Sequence, residues 1–491
     1  MSTRPHPEPP FILTLDIGTS STRAMLFDRW AKPIGGVLAQ VPNQLQTTAD
    51  GGAEFDPAAL FDGVTRAIDQ ALSQAGPLAD AIGGVGIDTF VTNFMGLDSA
   101  GWPLTPIYTF ADRRCAADAE ALRQEFDLEA VHNRTGCRIH SAYLPARFRW
   151  LARTQPEVLQ TVAHWLSIGE YLFWQFFGER VVSYSVASWS GLLDRHTLAW
   201  DEVWLADLPV KIEQFSKVTD VDQPRQGLKP AWAERWPALK SVPWFPAIGD
   251  GAAANVGSGC TTPERLALTI GTTGAMRTLV DRSPDTVPAG LWLYRLNRRY
   301  GLLGGATTEG GNVFAWLNQT LKLPPDLEAT LANMPPAGHG LTFLPFLAGE
   351  RAPGWQDDAR ASLINFTLDT QPVDILRAGL EGVAYRFALI HRQMQPHLPP
   401  DHQIIASGSG LLNSPAWMQI MADVLNRPLT ASAEPEATSR GVALMALDAL
   451  GFTDEKPISL GATYLPRSDY HTQYQIALET QIDLYHRLIQ S

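Results

Sequence analysis

Cysteine is scarce in this chain of 491 residues, and a membrane-length apolar run is missing. The three cysteines, Cys115, Cys137 and Cys260, are far apart and form no CxxC pair, so neither a disulfide framework nor a structural zinc site is indicated. The most apolar stretch, residues 165–177, is interrupted by Glu170 and is too short to span a bilayer. These absences favour a cytoplasmic protein with no membrane partner.

Positive charge is also in short supply. Lys and Arg total 38 against 51 Asp and Glu, which gives a formal net charge of −13. A nucleic acid is not expected as a partner, because binding a phosphate backbone needs a basic face. Residues 1–10 lack the apolar segment of a signal peptide and are expected to be a short disordered tail. An anionic small molecule remains compatible with a locally basic pocket.

The common signatures of nucleotide use, GxxxxGK[ST] and the HRD and DFG motifs, are absent. What the chain has instead is a repeated hairpin pattern. FILTLDIGTSSTRAMLFD from Phe11 reads as strand, glycine turn and strand, and LALTIGTTGAMRTLVD from Leu266 repeats it half a chain later. This spacing indicates an internal duplication rather than a short-period repeat.

Glycine turns of this kind can hold phosphate. Successive backbone N–H groups form an anion-binding nest, and adjacent hydroxyls add donors, so two facing hairpins would grip a triphosphate from both sides. The alternative is two tight hairpins without a ligand. Asp16 directly precedes the first turn and could hold Mg²⁺ through water, since Mg²⁺ typically takes one or two carboxylates plus phosphate oxygens. A solvated turn carboxylate is the other interpretation.

Strands and helices alternate along the chain, which is typical of the α/β class. Apolar residues recur at helical spacing, and a strand, IGGVGID, ends at Asp88. The predicted helices span residues 56–71, 144–152, 372–393 and 414–425. The main domain boundary is placed near residues 246–250, and residues 323–340 are interpreted as a surface excursion.

Asp250 lies in AIGDGAAANVGSG, a turn of small residues that leads into a predicted helix. Small neighbours let backbone and substrate approach closely. Phosphoryl transfer needs one carboxylate to accept the proton of the attacking hydroxyl, and Asp250 is the candidate for this base. A helix N-cap is the alternative role. Two further glycine turns precede predicted helices, at Gly310–Gly311 and at Gly408–Gly410, and neither is specific alone.

Taken together and in this order, these segments resemble the FGGY family of carbohydrate kinases over residues 11–449. DIGTSSTRAML and TIGTTGAM are similar to the family's two phosphate motifs, and SGSGLLNSPAWMQIMAD to its adenosine motif. WLSIGEYLFWQFFGE, YTFADRR, IGDGAAANVGSG and PFLAGERAPGW most resemble the gluconate kinases of the family, with xylulose kinases second. In the last segment, GERAP is expected to stabilise its loop rather than to act in catalysis.

The resemblance implies an α/β fold of duplicated actin-like ATPase (ribonuclease H-like) domains flanking a deep cleft. The first domain, residues 1–248, would bind sugar and the second, residues 249–491, nucleotide, and the last helix is left free to pack back on the first domain. The implied activity is transfer of the γ-phosphate of ATP, with Mg²⁺, to a hydroxyl of a small sugar or sugar acid, D-gluconate before others.

The resemblance also implies site residues. Asp250 would be the catalytic base and Asp16 the metal ligand. Substrate would meet Thr92, Asn93, Asp112, Arg113 and Asp250. ATP would meet Thr19, Ser20, Ser21, Arg23, Gly271, Thr272, Thr273, Gly311, Gly408, Ser409, Gly410 and Asn413.

One departure puts gluconate itself in question. Where gluconate and xylulose kinases carry a Met-His pair after the strand that ends at Asp88, this chain has Val91 and Thr92. His140 or Tyr143 would be the residues to replace the missing contact. The alternatives left open are a ketopentose kinase such as a xylulokinase, an actin-like chaperone or filament ATPase, and a non-catalytic sugar sensor. A homodimer is also left open.

Overall fold

The computed structural model describes residues 7–281 and 284–490. These residues form two α/β domains, each built on a mixed sheet. No helix among them has the length and apolar character needed to cross a membrane.

The first half of the chain contributes fourteen strands and nine α-helices among the described residues. The strands are β1 (Phe11–Ile17), β2 (Ser21–Phe27), β3 (Pro33–Pro42), β4 (Gln46–Thr47), β5 (Ala53–Phe55), β6 (Ile82–Thr89), β7 (Met95–Leu97), β8 (Ile107–Tyr108), β9 (His164–Leu166), β10 (Val181–Ser183), β11 (Leu193–Asp194), β12 (Ala199–Trp200), β13 (Lys217–Thr219) and β14 (Ile248–Gly249). The helices are α1 (Pro57–Ala75), α2 (Ala116–Glu125), α3 (Leu128–Thr135), α4 (Leu144–Thr154), α5 (Pro156–Thr161), α6 (Ile168–Phe177), α7 (Tyr184–Ser188), α8 (Glu202–Ala206) and α9 (Pro230–Arg235).

The second half contributes nine strands and eight helices among the described residues. The strands are β15 (Arg265–Ile270), β16 (Gly274–Asp281), β17 (Trp292–Arg295), β18 (Tyr300–Thr307), β19 (Thr342–Leu344), β20 (Ser362–Ile364), β21 (Gln403–Ser407), β22 (Leu429–Ser432) and β23 (Leu460–Tyr464). The helices are α10 (Asp250–Gly257), α11 (Gly311–Thr320), α12 (Leu327–Asn333), α13 (Pro372–Met394), α14 (Ser409–Leu412), α15 (Pro415–Leu425), α16 (Ala437–Ala449) and α17 (Ser468–Leu488).

The two main sheets repeat one topology. The first has the order β14-β6-β1-β2-β3, and the second contains the same arrangement as β22-β21-β15-β16-β18, extended by β17 and β23. In each, the hairpin strands pair antiparallel and the first of them pairs parallel with a later strand. The duplication predicted from the repeated glycine hairpins is therefore a duplication of the whole sheet.

The predicted helices form because their start signals are local. Asp56 caps α1 by accepting from the Ala59 amide at 2.7 Å, and Ser414 caps α15, whose first residue is Pro415. The surface excursion at residues 323–340 contains α12, whose Leu331 is buried. The last helix, α17, packs against α13, α15 and β19 of the second half, whereas the sequence left open that it packs back on the first domain.

Two helices lie at the junction of the domains. α10 packs along α16, and α16 packs on β1 and β6 of the first sheet although it comes from the second half of the chain. Its Ala443, Ala446 and Leu447 share a buried cluster with Ile12 and Phe27. The start of α10 is thereby held next to the ends of β1 and β6.

Candidate active site

The second hairpin turn and the two later glycine turns of the second domain lie against one another. The Gly311 amide donates to the Gly271 carbonyl at 2.8 Å, and the Asn312 amide donates to the Thr272 carbonyl at 3.0 Å. A Cβ on Gly410 would lie 2.8 Å from the Gly271 oxygen, and one on Gly408 would lie 2.4 Å from the Ile270 oxygen. Only glycine allows backbones to approach so closely here.

Several predicted ATP-binding side chains around this turn face solvent. Thr272, Thr273, Ser409 and Asn413 are exposed, so their hydroxyl and amide groups can reach a ligand. These residues are next to or within three positions of the converging glycines along the chain.

The first hairpin belongs to the other domain, and two of its predicted ATP-binding side chains are already engaged by other residues. Thr19 and Ser20 lie in its turn, which the Gly18 amide closes by donating to the Ser21 carbonyl at 3.0 Å. Ser21 is buried and its hydroxyl accepts from Gln40 at 3.1 Å. Arg23 forms an ion pair with Glu436 of the second domain at 3.0 Å rather than facing the cleft unpaired.

Asp250 and the second hairpin share a cavity of about 300 Å³. A larger hollow, about 590 Å³, lies away from Asp250 at the surface, where Arg298 and Arg299 are paired with Asp220 and Asp281. The cavity at Asp250 is therefore the candidate catalytic site. It is lined by Val91, Phe110, Trp189, Asp250, Gly251, Thr269, Gly271, Thr272, Thr273, Gly274, Ala275, Arg277, Trp292, Tyr294, Ala306 and Arg351.

The environment of Asp250 suits a base that works near neutral pH. Burial raises the pKa of its carboxyl to about 6, and the positive charges of Arg277 and Arg351 and a hydrogen bond from the Gly251 amide at 2.6 Å limit the rise. Asp250 is the first residue of α10, and Gly249 is the N-cap. The helix-cap alternative is thus not the role that the structure gives it.

A third carboxylate, missed by the sequence analysis as a site residue, completes an acidic group. Asp88, the next-to-last residue of β6, lies directly beside Asp16 on β1, and it is fully buried with no N–H donor to either oxygen among the described residues. Burial, followed by the charges of Asp16 and Asp250, raises the pKa of Asp88 well above its ordinary value. Burial raises the pKa of Asp16 too, with Arg23 opposing. An acid at the end of a strand parallel to β1 was the available signal.

This acidic group fits a hard cation. Two carboxylates this close together repel each other when both are ionised, and a divalent ion would relieve the repulsion. No cluster of three His, Cys, Asp or Glu side chains in metal-binding geometry occurs within residues 7–281 and 284–490. Mg²⁺ does not require one, because it keeps several waters and binds phosphate oxygens. Asp16 with Asp88 therefore fits such an ion.

The predicted substrate residues are only partly brought to the cavity. Val91 lines it, whereas Thr92 does not; the Thr92 backbone is left-handed, with φ 47°, and its carbonyl accepts from Arg147 at 2.6 Å. Asn93 is used internally, since its side-chain oxygen accepts from the Ile168 amide at 2.7 Å. Asp112 is buried in an ion pair with Arg114.

Arg113 reaches across to the second domain. Its guanidinium donates to the carbonyl oxygens of Ala348, at 3.3 Å, and of Asp357. His140, offered as a substitute substrate contact, lies with its Nε2 2.8 Å from the Asp357 carboxylate. The Tyr143 hydroxyl shares a hydrogen bond with the hydroxyl of Tyr294, and Tyr294 does line the cavity. The two arginines that line the cavity, Arg277 and Arg351, were not predicted as site residues.

Comparison with known proteins agrees with this geometry. The FGGY family of carbohydrate kinases matches the chain twice, its N-terminal domain over residues 11–257 and its C-terminal domain over residues 266–450. A gluconokinase of Bacillus subtilis is 27% identical over 96% of this chain and 95% of its own length. Crystal structures of a gluconate kinase and a xylulose kinase from Lactobacillus acidophilus each superpose with a TM-score of 0.91 at 26% identity, covering 98% and 97% of this chain and 98% of each relative.

The fold and the site define a phosphotransferase whose acceptor is an alcohol group. The chain belongs to the FGGY family of carbohydrate kinases, and its two domains are the N- and C-terminal domains of that family.

Proposed function

We propose that this protein transfers the γ-phosphate of ATP to a hydroxyl of a small sugar acid, with D-gluconate as the first candidate. The observation that carries the proposal is the shared cavity, in which Asp250 and the Gly271–Thr273 turn face the same space. A base and a phosphate-holding turn within one cavity are the two parts that phosphoryl transfer needs most.

Each group has a definite task in this proposal. Asp250 accepts the proton of the attacking hydroxyl, for which a pKa of about 6 is well matched to neutral pH. The glycine-turn amides and the Thr272 and Thr273 hydroxyls donate to the phosphate oxygens. Asp16 and Asp88 would hold Mg²⁺, which supplies positive charge to the phosphates when bound.

Gluconate is favoured over other acceptors by similarity to gluconate kinases along nearly the whole chain. A second candidate, a ketopentose such as D-xylulose, is favoured by the equally high structural similarity to a xylulose kinase. The positive lining of the cavity, Arg277 and Arg351, supports the sugar acid.

Two rival functions have less support. A chaperone or filament ATPase has less support because both family domains that match the chain are those of carbohydrate kinases. A non-catalytic sensor would not need both Asp16 and Asp250. The expected cytoplasmic location and the homodimer stay predictions.

A coupled ADP-release assay tests the proposal directly. Gluconate, xylulose, ribulose, fuculose and glycerol are supplied separately with ATP and Mg²⁺. Turnover with gluconate above the others supports the proposal, and turnover with xylulose alone supports the second candidate. Activity with glycerol alone would contradict both the gluconate and the xylulose proposals. No ADP release with any of the five acceptors would favour a non-catalytic sugar sensor.

A further inference from the structure

Arg351 differs from two buried arginines of the second domain, which are held in ion pairs. Arg377 is paired with Glu381 at 2.7 Å, and Arg386 is paired with Glu350. The guanidinium of Arg351 makes no hydrogen bond or ion pair with any residue of the described ranges, although its Nε is buried and its side chain lines the cavity of Asp250. Arg351 is half-buried, and no carboxylate of the described residues lies within ion-pair distance of its guanidinium, so its N–H donors are available to an anionic ligand in the cavity.

The backbone on either side of Arg351 is fixed. The Ala352 amide donates to the Ala306 carbonyl at 3.0 Å, and the Glu350 amide donates to the Gln356 carbonyl at 2.8 Å. The Glu350 carboxylate accepts from the Tyr485 hydroxyl at 2.6 Å and pairs with Arg386. The backbone of Arg351 is therefore fixed before any ligand binds, which reduces the backbone entropy lost on binding.

The same loop is fastened to the first domain. Asp357 accepts from the Ser141 hydroxyl at 3.0 Å and lies 2.8 Å from His140, and Arg113 donates to its carbonyl. The Trp355 ring lies against His140, with 5.3 Å between ring centroids. Arg351 thus projects from a loop of the second domain that is bonded to β18 on one side and to residues of the first domain on the other.

We infer that Arg351 binds the carboxylate of the sugar-acid substrate and so determines the preference for an acid over a neutral sugar. The inference rests on the proposed function and names the residue that would carry its specificity. Arg113, which the resemblance implied as a substrate contact, instead donates to the carbonyl oxygens of Ala348 and Asp357. A guanidinium can meet both carboxylate oxygens in one plane, which a lysine cannot do.

The γ-phosphate of ATP is the other anionic group that could reach Arg351, and binding without nucleotide separates the two. Calorimetry compares D-gluconate with D-glucitol, its uncharged six-carbon counterpart, in the absence of ATP. We expect the wild type to bind gluconate more tightly than glucitol, and Arg351→Ala to lose about 10- to 150-fold in gluconate affinity, the value of a charge-assisted hydrogen bond. Glucitol and ADP affinities should not change.

Arg360→Ala is the matched control. Arg360 follows nine residues later, is exposed, and donates only to the nearby carbonyls of Asp358 and Ala359, so its removal changes the net charge equally without touching the cavity. Arg351→Lys is a second variant, which keeps the charge and should recover only part of the affinity. Urea midpoints of all variants show whether the fold is intact.

The outcomes distinguish the inference from the proposed function. If gluconate binding depends on Arg351 but no phosphate is transferred to gluconate, the inference stands and the proposed function is wrong. If gluconate is phosphorylated and Arg351→Ala binds it normally, the inference is wrong and the function stands. A fall in kcat with every acceptor at unchanged gluconate affinity would assign Arg351 to the phosphoryl group instead.

Discussion

At the scale of single residues, Asp250 carries the largest expected effect. Asp250→Asn keeps the volume of the side chain and removes only the proton acceptor. We expect kcat to fall about 10²- to 10⁴-fold, the usual contribution of a general base, while the affinity for ADP stays the same. Steady-state kinetics with the best acceptor and calorimetry with ADP measure the two quantities. A variant that retains more than about a third of the wild-type kcat would show that another group takes the proton.

The pH dependence of the reaction reports the same carboxylate. Burial raises the pKa of Asp250 to about 6, and the base must be ionised to accept a proton. We therefore expect kcat/KM to be level above this pH and to fall about tenfold per pH unit below it. The profile is measured between pH 4.5 and pH 8 at saturating ATP, with unfolding followed separately. A limb centred near the ordinary pKa of an aspartate would contradict the raised value.

Residues whose partners lie close in sequence were the predictable ones. The glycine turns at Gly271 and Gly408–Gly410 and the small residues around Asp250 carry their own signals. Arg113 and Asp88 do not, because their surroundings depend on distant parts of the chain. Arg113 meets a loop more than 230 residues away, and Asp88 gains its repulsive neighbour only through the parallel pairing of β6 with β1. The sequence alone therefore assigned Arg113 to a ligand and Asp88 to a strand end.

At the scale of elements, the start of α14 should set nucleotide affinity. A Cβ on Gly410 would lie 2.8 Å from the Gly271 oxygen and 3.3 Å from the Gly311 Cα, so a valine there separates the turns that would hold the nucleotide. We expect Gly410→Val to weaken ADP binding by about tenfold or more, with little change in acceptor affinity. Gly35→Val is the control, because nothing lies within 4 Å of its Cβ position. Equal ADP affinity in the two variants would place the nucleotide elsewhere.

The close contact between α10 and α16 allows a second prediction at the scale of elements. A Cβ on Gly441 would lie 1.9 Å from the Ala253 oxygen, and one on Gly257 would lie 1.7 Å from the Ala437 oxygen. Gly441→Ala must push the helices apart, which we expect to lower the free energy of unfolding by about 1–3 kcal/mol. Because α10 begins at Asp250, kcat should fall as well. Urea denaturation and kinetics measure both, with Gly35→Ala as the control; an unchanged midpoint would show that the crossing relaxes freely.

Helices and hairpins were predictable because their boundaries are set by nearby residues, namely N-caps, prolines and glycine turns. The packing of α16 on the first sheet was not, since its apolar face fits either domain by pattern alone. Its position becomes defined only when β1 and β6 are present to receive Ala443 and Leu447.

At the scale of the whole molecule, the arrangement of contacts predicts how the cleft closes. The domains are joined at α10 and α16 and along the loop that carries Asp357, whereas the Gly18–Ser21 and Gly271–Thr273 turns belong to separate sheets. If both turns bind one nucleotide, as we propose, the side of the cleft that carries no interdomain contacts has to close while the joined side stays fixed. Closure also excludes water from Asp250 and the reacting phosphate.

We therefore expect the acceptor and a non-hydrolysable ATP analogue together to reduce the radius of gyration in small-angle scattering. Either ligand alone should produce a smaller change, because each would contact mainly one domain. Asp357→Ala serves as the comparison, since it removes the contacts to His140 and Ser141 without touching the turns. This variant should be more expanded without ligands and should still contract when both are added. A wild-type radius of gyration that does not change with both ligands present would show that the cleft is already closed in the free protein.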